Sequence, residues 1–112
     1  MNQKEQILHQ QIAVYWHNKY IKRPEFYQRL ICQWNNAANK AYGAKMRTMG
    51  VKPGVADWQF LIPGSTIWIE LKIGDNTQTP EQVAFEKLCN LLGHEYIICR
   101  SFDHFLEIIN PK

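Results

Sequence analysis

The sequence predicts a mixed α/β domain: a central β-sheet flanked by helices, with elements in the order α-β-α-β-β-α-β-α. Three observations carry this. In residues 57–72 apolar side chains recur at every second position along two arms, and Pro63-Gly64 separates the arms as a turn, which is the pattern of a β-hairpin. Segments of helical periodicity lie on both sides of it, one of them opened by a complete capping signature, Thr79-Pro80-Glu81-Gln82. That helix is followed by the short apolar run Tyr96-Ile97-Ile98-Cys99, and a helix between two strands suits a crossover that leaves them parallel.

Residues 4–20 read as the first helix, with Leu8, Ile12 and Tyr15, flanked by Ile7 and Trp16, as its apolar stripe. Lys22-Arg23-Pro24 interrupts the chain. In residues 26–34 the pattern is double. Phe26, Leu30, Cys32 and Trp34 share the parity of a strand, while Phe26, Leu30 and Trp34 also share a helix face. Residues 37–49 are helix-prone, with Gly43 as a weak point, and carry Lys40, Lys45 and Arg47. Trp34 and Tyr42 are either core residues or stacking partners for a base.

Gly50-Val51-Lys52-Pro53-Gly54 is a loop, either a plain connector or a place where a phosphate approaches the backbone closely beside Lys52. In the hairpin, one face holds Trp58, Phe60, Ile62, Ile67, Ile69 and Leu71, and the other holds Asp57, Gln59, Trp68, Glu70 and Lys72. A two-residue loop at Pro63-Gly64 sets Asp57 against Glu70; a four-residue loop sets Asp57 against Lys72 and Gln59 against Glu70. Both keep the apolar face whole, which a one-residue slip would not.

Gly74-Asp75-Asn76-Thr77-Gln78 is a polar turn. The helix that follows takes Thr79 as its N-cap, Pro80 as its first residue, and Val83, Phe85, Leu88, Leu91 and Leu92 as its buried face, and ends at Gly93. The run 96–99 is a strand fit to be buried on both sides. Ser101 caps a last helix bearing Phe102, Phe105, Leu106 and Ile109.

At 112 residues the chain has the length of one domain, and a hydrophobic fraction of 46% with four Trp, five Tyr and five Phe suffices for a modest core. No run approaches the roughly 20 apolar residues of a membrane span, and the polar start Met1-Asn2-Gln3-Lys4-Glu5-Gln6 has no signal-peptide core. Cys32, Cys89 and Cys99 are odd in number and lack CxxC spacing, which reads as reduced, mostly buried thiols of a cytoplasmic protein. The net charge of +3 is unevenly spread: eight basic residues fall in the stretch from Lys19 to Lys52, opposed by Glu25 alone. That bias suits a phosphate backbone, and Lys40, Lys45, Arg47 and Lys52 are the candidate nucleic-acid contacts.

The polar face of the hairpin carries the chemistry. Two carboxylates facing each other across paired strands repel, and a divalent cation between them removes the conflict. Mg²⁺ takes hard oxygen ligands, often one or two carboxylates, and leaves the rest of its octahedron to water and substrate phosphate. Lys72 projects from the same face two residues after Glu70, where an ammonium can steady charge developing at phosphorus. Asp57, then Glu70-Leu71-Lys72 on the next strand, is a kit for metal-assisted phosphodiester hydrolysis.

Gly50-Val51-Lys52-Pro53-Gly54-Val55-Ala56-Asp57, then Trp68-Ile69-Glu70-Leu71-Lys72, then Gln82 with Gly93 before the last strand, resemble the PD-(D/E)xK nuclease superfamily, and within it a compact, stand-alone VRR-NUC domain. With the N-terminal helix included, the resemblance covers most of the chain. Ala56 departs from it, standing where such motifs commonly carry Pro, a change in backbone stiffness rather than chemistry. The resemblance implies a restriction-endonuclease-like fold and resolves the double pattern as a strand over about residues 29–34. It implies one Mg²⁺ or Mn²⁺ held by Asp57, Glu70, the Leu71 carbonyl and Glu5, the last competing with a plain role at the positive end of the first helix. Lys72 would position or help deprotonate the attacking water. Gln82 would orient water or phosphate, or alternatively act only as the capping-box residue. His9 and His17 share no metal-ligand spacing and read as ordinary helix-surface residues. The implied activity is a structure-selective endodeoxyribonuclease acting on branched or junction DNA as a homodimer, like a Holliday-junction resolvase. A non-catalytic nucleic-acid-binding module on the same fold remains the alternative.

Overall fold

A computed structural model of the chain describes residues 3–33 and 40–110, with side chains from residue 44 onward in the second stretch. Among the described residues five helices and four strands follow one another: α1 (Gln3–Tyr20), α2 (Pro24–Tyr27), β1 (Leu30–Cys32), α3 (Lys40–Thr48), β2 (Trp58–Ile62), β3 (Ser65–Leu71), α4 (Pro80–Leu91), β4 (Glu95–Cys99) and α5 (Phe102–Ile109). The strands form one sheet in the order β1-β2-β3-β4, antiparallel except for the parallel β3–β4 pair joined through α4. This is the expected mixed α/β architecture with one addition, the short helix α2. It starts at Pro24, whose missing N–H costs nothing at a first helical position. With α2 in place Phe26 is helical, and the strand expected over 29–34 is confined to Leu30–Cys32 among the described residues.

The hairpin register is that of the two-residue loop. Ile62 faces Ser65, Phe60 faces Ile67 and Trp58 faces Ile69. Gly64 takes φ +74°, a left-handed conformation that lets the chain reverse so tightly. Alternation then sends Trp58, Phe60, Ile67, Ile69 and Leu71 to one side, where they meet Leu8, Ile12 and Trp16 of α1 and Phe105 and Ile108 of α5. A smaller cluster on the other side joins Ala56, Cys89 and Tyr96 with Trp68, Phe85 and Ile98.

α4 starts as its sequence predicts: Thr79 Oγ1 accepts from Gln82 N at 3.2 Å, and Thr79 N donates to Gln82 Oε1 at 2.9 Å. Its buried stripe is not the leucine-rich one. Phe85 and Cys89, four residues apart, face the sheet, while Leu88, Leu91 and Leu92 are 49%, 80% and 63% exposed. Ser101 caps α5, accepting from His104 N at 3.1 Å. Among the described residues no helix is long and apolar enough to cross a membrane.

Candidate functional site

The buried charged side chains among the described residues are Glu5, Asp57, Glu70 and Lys72, each less than a tenth exposed. All four are residues singled out from the sequence. Asp57 immediately precedes β2, so it stands one step beyond the Trp58–Ile69 pair, across from Glu70. Its backbone is held from β1, where Gln33 N donates to Asp57 O at 2.9 Å. Its side chain is held from β3, where Leu71 N donates to Asp57 Oδ2 at 2.8 Å. Lys72, just past β3, is fixed from the opposite edge, its amide donating to Cys99 O at 3.0 Å.

Glu70 is the electrostatic centre. Burial, then the charge of Asp57 and a hydrogen bond shared with it, push its carboxyl up from 4.5 to about 9, and the Lys72 ammonium offsets only part of this. At neutral pH Glu70 therefore holds a proton in the ion-free protein. Its Oε2 accepts from Gln82 Nε2 at 3.1 Å, whereas its Oε1 is buried without a partner. A buried oxygen with no donor is costly, and it marks the spot where a ligand would be welcome.

Gln82 resolves the two readings offered for it by doing both. Its carbonyl oxygen closes the α4 capping box, and its amide group donates to Glu70. The helix cap is what orients the amide toward the site. Gly54 makes that approach possible: at φ +83°, any Cβ there would lie 2.5 Å from the Glu81 backbone, so the loop before Asp57 lies directly on the first turn of α4. Gly50, by contrast, faces open space at φ +96°.

Glu5 lies buried in the first turn of α1, and its charge adds to the field at Glu70. Its Oε1 accepts from Asn76 Nδ2 at 3.0 Å. Asn76 sits in the turn after β3, which Arg100 straps down by donating to Gly74 O at 3.0 Å and Asn76 O at 3.2 Å. Sequence reading passed over Asn76 and Arg100, because an Asn in a polar turn carries no mark beyond turn formation. His9 is a second revision. Rather than lying on the helix surface, it stacks on Trp58 at 4.5 Å and 21°, with Nε2 at 3.5 Å from Cys32 Sγ. Burial holds its pKa below the usual value against the pull of Asp57. His17 stays exposed on α1, as expected.

Lys45, Arg47 and Lys52 are exposed. The side chains of Lys40 and Tyr42, and Trp34 altogether, lie outside the described residues.

The donor set is hard oxygen: Asp57, Glu70 and the Leu71 carbonyl on the same stretch of backbone. Among the described residues no three His, Cys, Asp or Glu side chains converge closely enough to hold an ion alone. The set fits a cation that accepts two carboxylates and keeps waters, as Mg²⁺ does. The unpartnered Glu70 oxygen fits it too.

No family model matches the chain, and no curated protein matches it. Among solved structures, a VRR_NUC domain protein superposes with a TM-score of 0.72 at 19% identity, over 97% of this chain and 87% of that one. At that identity what is shared is the architecture: this chain is built on the VRR_NUC domain fold.

Proposed function

We propose that the protein is a metal-dependent endodeoxyribonuclease that hydrolyses phosphodiester bonds. The observation that carries the reading is the buried pair of facing carboxyls, Asp57 and Glu70, with Lys72 next along the strand and one Glu70 oxygen unpartnered. The fold shared with a VRR_NUC domain protein supports it. Asp57, Glu70, the Leu71 carbonyl and, from the helix side, Glu5 would hold Mg²⁺ or Mn²⁺. When bound, the ion supplies Lewis acidity at the scissile phosphate and a lowered pKa for water.

The chain's own groups do the rest. Glu70, protonated in the ion-free protein, would have to be ionised to serve as a ligand beside Asp57. Lys72 is already desolvated, so its ammonium acts at full strength on charge developing at the phosphate or the attacking oxygen. Gln82, clamped by its own helix cap, keeps Glu70 oriented. Lys45, Arg47 and Lys52, all exposed, provide a basic surface for the sugar-phosphate chain.

A domain of this size has little surface for reading bases. Branched or junction DNA, recognised by shape and cut by a homodimer with two active sites, is the substrate that suits it. Incubating the purified protein with four-way-junction and linear DNA in Mg²⁺ or Mn²⁺ tests the reading. Cutting that needs the ion and disappears in Glu70→Gln supports it. Salt-dependent binding with no cutting under any ion would replace it with the alternative, a nucleic-acid-binding module.

A further inference from the structure

Glu5 is the charged member of the buried stripe of α1, which continues through Leu8, Ile12 and Trp16. Leu8 and Ile12 pack in one cluster with Ile69 and Leu71 of β3. The hydrogen bond from Asn76 sets Glu5 at the far end of that strand, beside the turn that follows Glu70 and Lys72. A glutamate side chain can swing through many rotamers. Glu5, Asp57 and Glu70 do not by themselves converge closely enough to hold an ion. Where the Glu5 carboxylate stands therefore decides what it adds to the facing pair.

That place is set from outside α1. Asn76 Nδ2 donates to Glu5 Oε1 at 3.0 Å, between residues 71 positions apart. Asn76 is itself held. Its N–H donates to Ile73 O at 3.3 Å, and the chain turns at Gly74 with φ +64°. Arg100, directly after β4, donates to both Gly74 O and Asn76 O, and donation from a charged group is stronger than from a neutral one. Next to it, Cys99 O accepts from Lys72 N at 3.0 Å, so the start of the turn is tied to the same edge of the sheet. The side chain on this braced turn is also of the right kind. An Asp would suit the turn equally well but would repel Glu5, and a Lys would cancel the charge that a cation needs. An amide orients the carboxylate and leaves its charge in place.

We propose that Asn76 is a positioning residue of the carboxylate site: carried on the turn that Arg100 braces, its amide holds the Glu5 carboxylate at a fixed place relative to Asp57 and Glu70. The inference rests on the nuclease reading and deepens it by assigning a support to one member of the donor set. Hydrogen-bond partners of ligating carboxylates act in this way, and losing one costs roughly 10–100-fold in metal affinity or activity.

Titration calorimetry with Mn²⁺ on the DNA-free protein tests this apart from cleavage. Asn76→Ser retains a turn-former but is too short to reach Glu5. Its Kd for Mn²⁺ should rise about ten-fold, while its thermal midpoint in ion-free buffer stays near that of the wild type. The Mn²⁺ concentration for half-maximal cleavage should rise by the same factor, with kcat at saturating Mn²⁺ little changed. In Glu5→Ala protein, Asn76→Ser should weaken Mn²⁺ binding no further, because the two changes act through one contact. Arg100→Ala loosens the turn without touching Glu5; it should give a smaller rise in Kd and serves where Asn76→Ser does not fold. Unchanged Mn²⁺ affinity in folded Asn76→Ser protein, or in Arg100→Ala where it stands in, overturns the positioning role. So does a further loss of affinity from Asn76→Ser in the Glu5→Ala protein. Either result leaves the nuclease reading intact as long as the wild type cuts with Mn²⁺. A wild type that neither takes up Mn²⁺ nor cuts overturns the two together.

Discussion

On one face of the β2–β3 hairpin, Trp58, Phe60, Ile67, Ile69 and Leu71 are buried against α1 and α5. On the other, at the end where Asp57 enters, Asp57, Glu70 and Lys72 are buried almost as deeply. The same two strands thus do opposite things. Each large apolar side chain on the first face contributes about 1.5–3 kcal/mol by leaving water. An ionised carboxylate taken from water without full pairing costs several kcal/mol. The contrast teaches where the stability of a small domain goes. The apolar face is strong enough to tolerate a pocket of charge, and protonation of Glu70 moderates the cost when no cation is present.

The sharpest way to break that contrast is to disarm one face and watch the other. Glu70→Gln keeps the shape of the protonated acid, so the fold should survive with a thermal midpoint at pH 8 no lower than the wild type's in ion-free buffer. Cleavage should fall by at least about 100-fold, because a carboxylate of the ion's donor set is lost. Lys72→Ala should cut equally poorly while DNA binding, measured by fluorescence anisotropy, stays near normal. Phe60→Ala acts from the other face. It should cost about 3–5 kcal/mol in urea unfolding, and any loss of cleavage should track the unfolded fraction. If Phe60→Ala folds yet loses activity as Glu70→Gln does, the two faces are not independent.

A pH titration sharpens the comparison further. The folded protein holds a proton on Glu70 that the unfolded chain has released above about 4.5, so unfolding between that value and about 9 releases a proton. The associated stability is complete below the unfolded value and is lost as pH rises through the folded one, on the order of a few kcal/mol in all. Chemical denaturation of the ion-free wild type from pH 5 to 9 should show this fall, and Glu70→Gln should flatten it. Because an ion must displace that proton, the stabilisation by Mn²⁺ should grow over the same pH range. A Mn²⁺ effect independent of pH would place the ion away from Glu70.

How much of this was legible depends on the range of the interactions involved. The hairpin, α4 and its cap, and α5 are written in local signals: alternation, Pro63-Gly64, the Thr79 to Gln82 box and Ser101. The pairing of Asp57 with Glu70 was one of two registers, and the turn chose between them. Helix α2 is four residues long, too short for periodicity to reveal, although Pro24 marks its first position. The buried stripe of α4 was misread because Leu88, Leu91 and Leu92 outweigh Phe85 and Cys89 in apparent hydrophobicity, yet the cap and Gly54 fix which side faces the sheet. His9 over Trp58 and Asn76 on Glu5 join residues 49 and 71 positions apart, and such contacts exist only once the chain has folded.

The smallest effects should come from Gln82, the residue that joins local order to the site. Gln82→Ala removes both the oxygen that caps α4 and the amide that donates to Glu70, so it should cost about 1 kcal/mol of stability and lower cleavage about ten-fold. Gln82→Glu separates the two roles. It keeps an oxygen for Thr79 N, so α4 should hold its cap, but it offers Glu70 no donor and brings a further carboxylate toward it. Thermal unfolding and single-turnover cleavage of both variants decide the matter. A Gln82→Glu protein that folds like the wild type and cuts poorly assigns the amide a part in the site. One that cuts at the wild-type rate reduces Gln82 to a helix cap, and the charged face would then end at Asp57, Glu70 and Lys72.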